Sequence, residues 1–185
     1  MLRYVLKGIV IVCLYSSCTL ILSTNVPGKP EKSLPPEWLG KYEVITPSPF
    51  PEKKDTSEHP EKEYATIEST KITWRTNDGD KVFSLADSLR YSMIPGEGRF
   101  LSLLMPQGLY AIFKVVKNAD TLEFHSLCSD DDIKKIDLNK YFDKIEKINK
   151  GEDEYYKVTI VDKKLGAYFK SAIPSKEITK LVPVR

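Results

Sequence analysis

Apolar positions in the second half of the 185-residue chain run in short blocks or alternate, the pattern of strands. Residues 99–105 and 109–117 are apolar, β-branched and aromatic, with Pro106-Gln107-Gly108 as a turn between them. Asn118-Ala119-Asp120 turns the chain into residues 121–127. There Leu122 and Phe124 share one face, and Thr121, Glu123 and His125 share the other. Leu138, Phe142, Ile145 and Ile148, with Tyr141, fall on one helical stripe. Asp143/Lys147 and Glu146/Lys150 stand as i,i+4 pairs, so the spacing predicts a helix that Gly151 ends. Tyr156, Val158 and Ile160 then alternate with Tyr155, Lys157 and Thr159. Residues 162–166 read as a turn, 167–173 as a returning strand, and 178–182 as the last strand.

The first half is more broken. Residues 41–45 form a short strand, and residues 46–62 contain Pro47, Pro49, Pro51 and Pro60, a density that forbids a ladder and predicts a long loop. Ile67 and Ile72 have opposite parity, so residues 64–75 need a bulge or turn near Ser69 to bury both. Asn77-Asp78-Gly79 is a tight-turn signal with residues 82–85 as the returning strand, although Val82, Leu85, Ala86 and Leu89 also fit a helical period. Eight or nine short strands joined by turns predict a mainly β domain, an antiparallel barrel or sandwich with one packed helix.

The extreme N-terminus differs from the rest. Arg3 and Lys7 precede an apolar run over residues 8–14, followed by Tyr15-Ser16-Ser17-Cys18. A basic region, a short apolar region and small residues at a cut site are the parts of a secretory signal peptide. The small pair before Cys18 resembles the bacterial lipoprotein lipobox. That resemblance implies a signal peptide over residues 1–17 and a Cys18 that is lipidated as the mature N-terminus. Two alternatives stay open: ordinary cleavage, or an uncleaved anchor over residues 4–22, which at about 1.5 Å per residue nearly crosses a bilayer core. Pro27, Pro30, Pro35 and Pro36 make residues 18–36 a lipidated start and Pro-rich tether, with the globular domain at 37–185. Cys13 leaves with the signal and Cys18 carries lipid, so Cys128 remains as a lone buried thiol.

Trp38-Leu39-Gly40-Lys41-Tyr42 stands just before the first strand and a long loop. This arrangement is similar to the lipocalin-like barrels of small bacterial lipoproteins, which implies a lipocalin-like β-barrel. Composition changes the picture only at the margins. Hydrophobic residues are 41% of the chain, enough apolar surface to exclude a wholly disordered one. The 28 Lys and Arg exceed the 26 Asp and Glu by two, and Arg3 and Lys7 supply that excess, so the rest is neutral and nucleic acid is not an expected partner.

Candidate chemistry is sparse. Asp130-Asp131-Asp132 lacks the alternating geometry that wraps Ca²⁺ and reads as a helix entry; Asp78 and Asp80 read as turn residues. Gly96-x-Gly98 is a turn and not a phosphate loop, and neither G-x-S-x-G nor H-E-x-x-H occurs, so no cofactor, metal or catalytic residue is expected. His59 lies in the Pro-rich loop. Glu123 and His125 are the one pair that would contact a ligand in an open barrel, or serve an envelope hydrolase. The expected function is therefore that of a membrane-tethered envelope lipoprotein, outer-membrane anchored through Cys18. It would act as a binding or structural module for an apolar small molecule or an envelope protein. A hydrolase, or an accessory subunit of an envelope or secretion assembly, is the alternative.

Overall fold

The computed structural model describes residues 18–46, 62–76, 79–130, 138–150, 153–171 and 178–184. Their strands in chain order are β1 (Cys18–Ser23), β2 (Gly40–Ile45), β3 (Glu63–Ile67), β4 (Lys71–Thr76), β5 (Gly79–Ser84), β6 (Leu89–Ile94) and β7 (Gly98–Leu104). There follow β8 (Tyr110–Asn118), β9 (Thr121–Ser126), β10 (Cys128–Asp130), β11 (Phe142–Lys150), β12 (Asp153–Ile160), helix α1 (Asp162–Lys170) and β13 (Ile178–Pro183). The protein is mainly β, and all these strands join one large mixed sheet.

One antiparallel path runs β5-β4-β3-β2-β13-β9-β8-β7-β6, and no ladder joins β5 to β6, so the sheet is not closed. The turn expected near Ser69 is present and lets Ile67 and Ile72 face each other across β3 and β4. A second arm leaves β8 through Leu22 and Ser23 of β1, which pairs in parallel with β12 and antiparallel with β10; β11 closes that arm. The parallel pair departs from the all-antiparallel expectation.

The unbroken apolar character of β7 and β8 has a simple cause: both their faces are covered. Leu101, Leu103 and Val115 enter one core with Trp38, Tyr42, Ala65, Leu122 and Leu181. Phe100 and Ile112 point the other way, into a second core with Ile21, Phe142, Val158, Ile160, Leu165 and Tyr168.

Three expectations are corrected. The helix over residues 138–150 is instead a short 3-10 turn, Leu138–Lys140, and strand β11. A bulge between Asp143 and Glu146, with Lys144 at φ 50°, sets two residues against one and brings Phe142 and Ile145 onto the same buried side. A three-residue step on one face mimics a helical period. The charges expected as i,i+4 pairs bridge elements instead, Glu146 to Lys157 and Asp143 to Lys164.

Residues 162–170, expected as a turn and a strand, are helix α1. Leu165, Tyr168 and Phe169 present a helical stripe to the second core. Gly166 does not end the helix. It is where the Glu97 side chain lies against it, and a Cβ there would collide with that carboxylate.

The Pro-rich segment over residues 18–36 is not a free tether, and among the described residues the folded body already includes β1, well before Glu37. Ile21 and Leu22 are fully buried, Leu34 nearly so. Glu31 donates its N–H to the Tyr91 carbonyl, Pro30 bridges Ser92, and Leu34 donates to Ser69. Proline excludes a regular ladder here but not an extended strap laid across β6. The proposed signal peptide, Asn77-Asp78, the loop over 47–61 with His59, and Asp131-Asp132 lie outside the described residues.

Candidate functional site

Alternation along the strands of the open path sends one face of each toward a common interior. Trp38 fills part of it: its ring meets Tyr91 edge-on at 5.3 Å, and the Arg99 guanidinium lies 5.8 Å from it. Arg99 is held in turn by Glu37 at 2.6 Å, and Tyr42 donates its hydroxyl to the Trp38 carbonyl at 2.9 Å.

Beyond this plug the interior keeps a cavity of about 90 Å³. Ile72 and Trp74 of β4, in register with Phe83 and Lys81 of β5, form one wall with them, and Leu89, Leu101 and Leu103 supply another. Phe113, Phe124, Thr179 and Leu181 complete the lining. Strands from both ends of the path thus face one apolar space. A cavity of this kind, too large for a single water and poor in polar partners, favours an apolar occupant. Trp74, Phe83, Phe113 and Phe124 are only half-buried, so the space reaches the surface.

The indole N–H of Trp74 donates to Glu63 Oε2 at 2.9 Å, which orients the ring over the cavity. Besides that indole N–H, Lys81 and Thr179 bring the polar groups to the lining among the described residues. Lys81 is a site residue that sequence reasoning missed. The available signal was parity, since an inward-facing Phe83 on β5 puts Lys81 on the same face.

Glu123 and His125 are brought together, His125 Nε2 lying 3.7 Å from Glu123 Oε2. They stand on β9 opposite in parity to Leu122 and Phe124, and they do not line the cavity. Their neighbours are cationic: Lys180 Nζ is 3.4 Å from Glu123 Oε1, and Lys114 is paired in register with His125. Burial holds the His125 pKa below its usual value. Lys114 adds to that, and the Glu123 carboxylate opposes it without prevailing. A neutral imidazole beside a carboxylate can accept or pass a proton, and Lys114 and Lys180 would favour an anion nearby.

Cys128 is buried, with its Sγ 2.9 Å from the Ser126 hydroxyl. Cys18 opens β1 opposite Asp130. Among the described residues no three His, Cys, Asp or Glu side chains gather as a metal site, and no helix is long and apolar enough to cross a membrane. Comparison with protein-family models, curated proteins and solved structures found no match to the chain.

Proposed function

We propose that this protein is a binding module that holds an apolar small molecule inside a lipocalin-like barrel. The observation that carries the reading is the cavity lined from both ends of the strand path, with side chains almost entirely apolar. An open nine-strand path whose first and last strands face one space is what a rolled but unlaced barrel would give. The reading of residues 1–18 as a lipoprotein start makes it an envelope protein anchored through Cys18, in the outer membrane. Support for that lies in Arg3, Lys7, the apolar run after them and the small pair before Cys18. Because β1 opens at Cys18, acyl chains on this residue would hold the body directly against the bilayer, with no spacer.

Calorimetric titration with n-octanol tests the cavity. Saturable binding by the wild type is expected. It should weaken in Leu101→Phe, which fills the space from β7, while the unfolding midpoint stays within a few degrees. No saturable binding, or equal binding by a folded Leu101→Phe, overturns the reading.

The Glu123/His125 pair favours a second reading, an envelope hydrolase that uses His125 as a base. Loss of turnover on ester or glycan substrates in both His125→Ala and Glu123→Ala would support it, and unchanged turnover would end it. The remaining alternative, an accessory subunit of an envelope or secretion assembly, would show as a specific crosslinked partner.

A further inference from the structure

We propose that the cavity takes a single-chain amphiphile with an anionic head, and that the Lys81 ammonium recognises the head. The inference rests on the cavity-binding reading above and adds the class of ligand. Among the described residues Lys81 is the one charged side chain in the lining. It sits on β5 opposite Trp74, two residues from Phe83, and so shares the interior face of that strand.

Among the described residues Lys81 shares with Lys41 and Lys114 the lack of a carboxylate partner, and of these three it alone lines the cavity. Arg75, diagonal to Lys81 across the ladder, is tied to Asp80 by two bonds of 2.8 and 2.9 Å. Glu63, the acid beside Trp74, accepts the indole N–H. Lys81 makes no ion pair among the described residues.

Position completes the argument. β5 is the terminal strand of the path and has no ladder to β6, so Lys81 stands on the open side of the space, half-buried. Its stem covers apolar wall while its head can reach water. An apolar chain lodged among Trp74, Phe83 and Leu101 would bring its polar end out at that cation. The space is narrow, about 90 Å³, and open on one side, so it receives part of one slim chain while the rest lies in the opening, and it has no room for a second chain. A carboxylate meeting an ammonium there forms a charge-assisted hydrogen bond that an alcohol cannot match.

Calorimetric titrations of the full chain at pH 7 with octanoate, octanol and acetate test the assignment. Octanoate should bind with about one-tenth the dissociation constant of octanol, and acetate should not bind in that range. Lys81→Met should bring octanoate level with octanol, and Lys81→Arg should keep the preference. Equal affinity of the wild type for octanoate and octanol overturns the proposal whether or not any variant folds, and leaves the cavity reading standing. A preference that survives in Lys81→Met, or acetate that binds as well as octanoate, also overturns it. Failure of octanol and octanoate alike to bind instead removes the cavity reading, and this inference with it.

Discussion

Ile21 of β1 lies opposite Tyr156 of β12 in a parallel ladder, and its own N–H donates to the Leu127 carbonyl on the other side. The strand that follows the proposed acylation site is therefore an interior strand, bonded along both edges. Leu22, next to it, is fully buried and pairs with Ala111 of β8. A chain that starts at Leu34 would leave the edges of β8 and β12 unpaired and open the second core. It is expected to show no cooperative unfolding transition in urea. The milder change Leu22→Ala should lose about 2–5 kcal/mol, and a Leu34 start that unfolds like the full chain would refute the interior role of β1.

Tyr168 on α1 is fully buried among Tyr141, Phe142 and Phe169, and its hydroxyl donates to the Cys128 carbonyl at 2.8 Å. That bond ties the helix to β10. Tyr168→Phe keeps the ring contacts but removes the donor, and should cost about 1–2 kcal/mol in equilibrium unfolding. A loss below a few tenths would mean that the aromatic packing alone holds the helix.

His125 gives the pH dependence its sign. Its folded-state pKa lies below the ordinary value of about 6.5 because burial and Lys114 disfavour the imidazolium. As pH falls through that ordinary value the unfolded chain takes up a proton before the folded one does, so stability drops toward acid. The wild type should therefore be more stable at pH 7.5 than at pH 5.5 by a margin that shrinks in His125→Gln. Urea midpoints at the two pH values measure it, and an undiminished margin in the variant would assign the effect to other groups.

Ala119 occupies φ 52° in the two-residue turn between Asn118 and Thr121. A side chain is strained there, and hairpin turns of this length favour glycine at a position of positive φ. Ala119→Gly should stabilise the protein by about 0.5–1 kcal/mol, or roughly 1–4 °C in melting temperature for a chain of this size. An unchanged or lower melting temperature would show that the turn carries little strain.

Strand content and most strand positions were legible in the sequence, because alternation and turn residues are local properties. Leu122 and Phe124 already stood apart from Glu123 and His125, and the structure keeps them on opposite faces of β9. The turn near Ser69 followed from parity alone. The misreadings share a cause: each depended on a distant partner. Phe142 and Ile145 look helical until Ile160 and Val158 of β12 pair with the bulged strand. Residues 162–166 look like a turn until Leu165 and Tyr168 meet the second core and Glu97 takes the space beside Gly166.

By itself the sequence determined a mainly β body, the hairpins of its second half and the separation of Glu123 and His125 from Leu122 and Phe124, since nearest-neighbour alternation and turn chemistry decide these. Only tertiary structure decided that residues 18–34 belong to the body, that β1 runs parallel to β12, and that Lys81 shares an apolar space with side chains from six other strands. Those outcomes follow from long-range pairing and from the volume that packed side chains leave unfilled, and no local pattern encodes either.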